Sequence, residues 1–172
     1  MALSLRSFSP EPPSDTRQRL LRFPLNVQDS ALLPLEQITE ILKLDRADIL
    51  PIPETPNCVL GVCNWRGEML WLIDLGNLVG YPPLVLLEQG AGTVMAIVIK
   101  TNDQSLGLAV RHVNDIEFHD LQTLHLATPG LFPPGLLPFV LGALPGGNGA
   151  VLNVTAIMQC PLWQTHLIYS RT

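Results

Sequence analysis

Short apolar runs, cut by Gly, Pro, Asn and Asp at intervals of about ten residues, succeed one another along this chain. The pattern predicts many short strands and few helices. In residues 20–27, Leu21, Phe23, Leu25 and Val27 share a face, and Pro24 on the other face predicts an edge strand or a bulge. Residues 31–35 and 37–44 are apolar again, and Ile38 and Ile41 fit a helical or an extended period. Pro34 argues against one long helix, so two short strands around a bend are expected. Residues 45–55, charged and then rich in proline, predict an extended, irregular path into the central segment of the chain.

Residues 56–80 carry the densest local signal. Residues 59–63 and 69–73 are two apolar, β-prone runs joined through Asn64-Trp65-Arg66-Gly67, which reads as a hairpin. In the second run Met69, Trp71 and Ile73 point one way and Leu70 and Leu72 the other; with both faces apolar, a barrel or sandwich strand fits. Asp74 is placed to cap a short helix that Gly80 stops. At the hairpin tip, Trp65 beside Arg66 reads either as an exposed interface anchor or as a tryptophan lid on the core beside a solvated arginine.

Beyond Gly80, residues 81–93 contain Pro82, Pro83, Gly90 and Gly92 and predict a connection between two lobes. Residues 94–99, 106–110 and 113–118 predict three consecutive strands, a meander. A long loop that packs some leucines is expected over 119–138. Residues 139–144 and 150–152 predict a closing hairpin, then a helix from Val154 to about Gln159 capped by Asn153. Asp74 and Asn153 are 79 residues apart, as are Gly67 and Gly146, so the hairpin-then-helix unit occurs twice and two similar β lobes are expected.

Composition narrows the function. The net charge of −5 comes from 15 acidic against 10 scattered basic residues, which argues against nucleic acid as a partner. Only 15% of residues are charged, so much of the surface is uncharged and suited to protein partners. No run approaches the length a bilayer needs, and the N-terminal residues lack a secretory signal, so a cytoplasmic location is expected. Cys58, Cys63 and Cys160 lack zinc or redox spacing and read as small buried hydrophobes. His112, His119, His125 and His166 show no metal-ligand spacing, and Asp115 and Glu117 read as solvated outward residues. No nucleophile, base or cofactor loop assembles, so a binding module without catalytic residues, cofactor or metal is expected.

The stretch Ile52-Pro53, Pro56, Gly61-Val62, Asn64, Arg66-Gly67 and Asp74-Leu75 resembles the signature of the CheW-like domain family, the coupling proteins of bacterial chemotaxis arrays. The resemblance runs from about residue 20 to 164 and includes the Q-I-T-E-I element at 37–41. Trp65 stands where the family usually has Leu, and Asn153 where it often has Asp. The resemblance implies a mainly β fold of two intertwined, SH3-like five-stranded barrels with short helices. It also implies an adaptor without catalytic activity. One surface would grip the regulatory domain of a CheA-type histidine kinase, and a groove between the lobes would hold the cytoplasmic tip of a methyl-accepting chemoreceptor. Arg66 and Gly61 match positions associated with coupling and Glu40 the acidic position of the E-I element. Asn64 and Trp65 neighbour Arg66, and Ile38 and Ile41 are expected as apolar groove contacts.

The expected organisation is a flexible tail over 1–18, a domain over 19–165 with lobes of about 19–85 and 86–165, and a short tail over 166–172. Chemotaxis, phototaxis and pilus motility are all compatible settings. Alternatives are a module that binds a kinase or other regulator without a receptor, and a small-molecule sensor using the cleft between the lobes.

Overall fold

A computed structural model describes residues 16–84, 92–128, 130–146 and 149–164. Of the expected tails over 1–18 and 166–172, residues 1–15 and 166–172 lie outside the described residues, as do part of the 81–93 connection and the tip of the closing hairpin, while Gln18 already belongs to the first strand. Among the described residues ten strands form: β1 (Gln18–Pro24), β2 (Ser30–Pro34), β3 (Ile38–Asp45), β4 (Val59–Trp65), β5 (Glu68–Ile73), β6 (Thr93–Thr101), β7 (Gln104–Val110), β8 (Ile116–His119), β9 (Val140–Ala143) and β10 (Ala150–Leu152). Short helices α1 (Leu75–Leu78) and α2 (Val154–Met158) come after β5 and β10.

The strands build two five-stranded sheets, sheet I in the order β8-β1-β2-β10-β9 and sheet II in the order β3-β6-β7-β5-β4. The expected mainly β architecture is therefore found, but the sheets cut across the boundary expected near residue 85. Sheet II is one contiguous stretch of chain, β3 to β7, inserted between β2 and β8 of sheet I. Residues 81–93 consequently lead from β5 to β6 within one sheet and do not connect lobes. The expected meander also breaks: β6 and β7 form a hairpin, whereas β8 leaves for sheet I and pairs with β1. Strand periodicity is local, but the choice of partner is made by contacts far along the chain.

The duplicated unit is explicit in the structure. Hairpin β4-β5 leads into α1 and hairpin β9-β10 into α2; β5 pairs in parallel with β7, as β10 does with β2. Asp74 Oδ1 accepts from the Asn77 N–H at 3.0 Å and Asn153 Oδ1 from the Ala156 N–H at 3.1 Å, so each helix has the predicted cap. Asp74 Oδ2 also accepts from the Leu84 N–H at 2.7 Å, tying the chain beyond α1 back to the cap.

Each sheet curls until its ends meet. In sheet II, Leu42 of β3 and Trp65 of β4 belong to opposite edge strands yet share one apolar cluster with Cys63, Leu70, Leu72, Ala96 and Val98. In sheet I, Leu20, Leu32, Leu144 and Val151 enclose a similar cluster with Leu121 and Leu124. The loop over 119–138 thus contributes leucines, as expected. A third and largest cluster joins the sheets, with Leu21, Phe23 and Leu33 from one and Val62, Trp71, Ile73, Ile97 and Leu108 from the other. Strands buried on both faces explain the near-continuous apolar runs.

Pro24 does not mark an edge. β1 is flanked by β8 and β2, and the Arg22 N–H bonds to Asp115 O on the β8 side. Alternate residues present their N–H to the same neighbour, so Pro24 lacks its N–H where β8 pairing has already ended. Val27, expected on the strand face, lies beyond β1 in the turn and is exposed.

A candidate coupling site at the seam of sheet II

The seam is built from two edge strands and a turn. β4 and β5 are joined by only two residues, Arg66 (φ 54°) and Gly67 (φ 78°), a left-handed pair that matches the twist of a hairpin. Asn64 Oδ1 accepts from the Gly67 N–H at 3.3 Å and helps close the turn, while its side chain remains exposed. Trp65 is the last residue of β4 and alternates with Cys63, so its ring points into the curl of sheet II and is only 7% exposed. The reading of Trp65 as an exposed anchor is corrected: the lid alternative is what the structure shows. The alternation of Cys63 and Trp65 with Leu70 and Leu72 across the turn is the sequence signal for it.

Burial leaves the indole N–H in need of an acceptor. Glu40 of β3 supplies it, with Trp65 Nε1 to Oε1 at 2.9 Å, and the same oxygen accepts from Arg66 Nη2 at 2.9 Å. The Arg66 guanidinium also lies 4.9 Å from the Trp65 ring centroid, within cation–π range, yet its side chain is 64% exposed. The arrangement therefore fixes a solvent-facing guanidinium from below and from the side. Glu40, Trp65 and Arg66 come together, with Asn64 adjoining them.

Gly61 acts one step away. Leu50, reached after the 3-10 turn Arg46–Asp48, forms an isolated bridge to Val62, with N–O distances of 2.8 and 2.9 Å in the two directions. Gly61 has φ 139°, and a Cβ there would stand 2.2 Å from Leu50 O. Only glycine admits that approach, which closes the curled sheet. Ile38 and Ile41, by contrast, are half-buried and pack on the opposite face of β3, against the core shared by the two sheets. Six of the seven residues thus form a cluster of four around Glu40 and a separate apolar pair across the strand, with Gly61 apart from both.

On the outer side of the hairpin, Leu50 and Met69 are 63% and 54% exposed around a shallow hollow of 280 Å³ that also touches Asp48, Asn64 and Glu68. Sequence periodicity misses this apolar margin because it assigns Met69 to a buried face. Cys58, Cys63 and Cys160 are buried, and burial pushes the Cys58 and Cys63 thiols up, away from the nucleophilic thiolate. Asp74 is a buried cap, its carboxyl raised by burial against the pull of backbone N–H bonds from Leu84, Asn77 and Gly76. Among the described residues no group of three or more His, Cys, Asp or Glu is placed to hold a metal, and no helix is long and apolar enough to cross a membrane.

Sheet I has its own seam. His125 bridges Ala143 of β9 with N–O distances of 2.8 Å in both directions, after a 3-10 turn Leu121–Thr123 capped by Asp120. On the inner face Glu117 accepts from Arg22 Nε at 2.5 Å and Nη2 at 3.0 Å and contacts His119 Nε2 at 2.8 Å. Glu117 is therefore not the solvated outward residue expected from alternation. The Arg22 hydrogen bonds in particular hold its carboxyl at about 2, well below the usual carboxylate range.

Two comparisons bear on this architecture. The family model described as CheW-like domain matches residues 19–159. Among solved structures, the scaffolding protein TtCheW from Thermoanaerobacter tengcongensis superposes with a TM-score of 0.63 at 22% identity, over 79% of this chain and 87% of that one. Comparison with curated protein sequences gives no match.

Proposed function

Because the chain belongs to the CheW-like domain family, a family of scaffolds and adaptors, we propose that it couples chemoreceptors to a CheA-type histidine kinase within a cytoplasmic signalling array. The observation that carries this reading is the geometry of Arg66. A guanidinium that is exposed yet held by Glu40 and the Trp65 ring has given up part of its side-chain entropy before any partner arrives, and preorganised arginines are efficient interface anchors. The adjoining exposed Leu50 and Met69 supply the apolar margin that such an anchor needs.

In this reading the kinase's regulatory domain docks on the Arg66 corner, and Ile38 and Ile41, at the margin of the core between the sheets, contact the receptor tip. Gly61 contributes indirectly, by letting Leu50 lie against β4. Each contact is small, and arrays gain strength from many of them engaging at once. The test is capture of a CheA-type regulatory domain and a chemoreceptor cytoplasmic fragment by the wild-type chain and by Arg66→Ala and Arg66→Glu. Both variants are expected to keep the native circular dichroism and melting temperature while losing the kinase domain. Ile41→Asp is expected to lose the receptor fragment. Unchanged capture of both partners by Arg66→Glu sinks the proposal.

A further inference from the structure

The duplicated fold fills one end of sheet II and leaves the matching end of sheet I hollow. In sheet II, Leu84 is buried in an apolar cluster with Val94 and Ala109, against which Leu60 packs, and its N–H is held by Asp74 Oδ2. It plugs the curl. The ladders give the matching positions in sheet I. Leu72 opposes Gly107 and Gly107 opposes Val98, as Val151 opposes Leu32 and Leu32 opposes Arg22. Gly61 opposes Leu72 as Gly142 opposes Val151. Counted along each strand, Val94, Ala109 and Leu60 correspond to Gln18, Pro34 and Leu141, and the cap Asp74 to the cap Asn153.

Gln18, Pro34, Leu141 and Asn153 all line one hollow of 270 Å³, together with Leu121 and Leu152. The residue 79 places after Leu84 is Trp163, which takes another path. It is fully buried in the core between the sheets, its ring centroid 6.5 Å from that of Phe139 and its Nε1–H on Ile157 O at 2.8 Å. The plug of the second unit therefore serves the shared core. Leu141, at the rim of the seat, is 51% exposed, whereas Leu60 in the filled twin is half-buried.

We propose that the hollow in sheet I is a seat for a leucine side chain of a partner protein. The twin shows what this architecture accepts, a branched aliphatic side chain whose backbone is tied to the helix cap. Asn153 then defines the backbone group. Its Oδ1 serves the Ala156 N–H, so the end that corresponds to Asp74 Oδ2 is an NH2 donor, and the occupant brings a carbonyl oxygen where Leu84 brings an N–H. Burial of the incoming leucine together with Leu141 supplies the affinity. The seat belongs to sheet I, apart from the Arg66 corner, and the inference does not depend on the adaptor reading.

The experiment is an amide-resolved NMR titration of the full chain with a capped, uncharged pentapeptide, Ser-Gly-Leu-Gly-Ser, and with its alanine counterpart. Saturable shifts at Gln18, Leu141 and Asn153 are expected for the leucine peptide, with the alanine peptide at least about tenfold weaker. Asn153→Asp keeps an oxygen for the Ala156 N–H, as Asp74 does for Asn77, so the melting temperature should hold. It turns the donor into an acceptor and is expected to weaken the leucine peptide about tenfold. Leu141→Ser, at an exposed position, is expected to weaken it as well. Equal response to both peptides, shifts that fall elsewhere, or unchanged affinity in Asn153→Asp overturns the proposal. So do nuclear Overhauser contacts from residues 1–15 or 165–172 to Leu141 before peptide is added, since the chain itself then holds the seat. A dimer in light scattering that Leu141→Ser dissociates overturns it too, with a second copy as the occupant.

Discussion

The two seams solve one problem with different emphasis. In each, a strand at the end of a curled sheet runs through a 3-10 turn and then bridges the far edge, Leu50 to Val62 in sheet II and His125 to Ala143 in sheet I. In each, a glycine on the far strand admits that approach: Gly61, where a Cβ would stand 2.2 Å from Leu50 O, and Gly142, where it would stand 2.8 Å from the Leu124 Cβ and 3.1 Å from His125 O. In each, an edge-strand glutamate grips an arginine. The difference is the arginine. Arg22 is 19% exposed and doubly bonded to Glu117, so it fastens the sheet; Arg66 is 64% exposed and singly bonded, so it is presented to solvent. Of the two seams of this duplicated fold, one is fastened by its arginine and the other, under the proposed function, offers its arginine to a partner.

The largest effect that separates the seams is expected at the glycines. Gly61→Ala forces a Cβ into backbone at a φ of 139° and should cost about 3 kcal/mol or more. Gly142→Ala meets the Leu124 Cβ at 2.8 Å and His125 O at 3.1 Å, a slighter overlap than the 2.2 Å at Gly61 and without a left-handed φ, and should cost less. Urea denaturation of both variants measures the gap, and equal losses would remove the distinction between the two approaches.

Next is Glu117. Its folded carboxyl sits at about 2, below its ordinary 4.5, so it stabilises the fold above the ordinary value and that stability drains away as pH falls from there towards 2. Allowing for partial exposure, about 1–2 kcal/mol is at stake. Glu117→Gln should lose that amount at pH 7 and flatten the acid limb of the stability profile; a parallel profile breaks the assignment of sheet I's ion pair as a fastener.

Trp65→Phe keeps the buried ring but removes the N–H to Glu40, at a cost of about 1 kcal/mol by thermal or urea unfolding. The smallest effect on stability is expected from Arg66→Ala, about 0.5 kcal/mol or less, because its pair with Glu40 is exposed. A loss there as large as that of Glu117→Gln would show that Arg66 also fastens, and the contrast between the seams would fall.

Much of the fold is legible locally. The turn residues Arg66-Gly67, the caps Asp74 and Asn153 and the spacing of 79 between them are short-range signals, and the strands and helices stand where they predict. Pairing is not legible. Residues 113–118 look like the third strand of a meander because nothing nearby in the chain says that Leu20 and Leu21 are their partners. Trp65 is ambiguous for a similar reason: the cavity it fills exists only once β3 has curled against β4 and brought Glu40 beneath the indole. Glu117 looks solvated because its arginine lies 95 residues earlier in the chain.

The insertion of sheet II within sheet I also orders events during synthesis. β1 and β2 emerge first but contact their β8 and β10 neighbours only after residues 116–119 and 150–152 have left the ribosome, whereas β3 to β7 hold all of their sheet partners within one continuous segment. Long loops must close before such distant pairs reward the chain. The nascent protein therefore carries an unfinished apolar hairpin ahead of a lobe whose sheet partners have all been made.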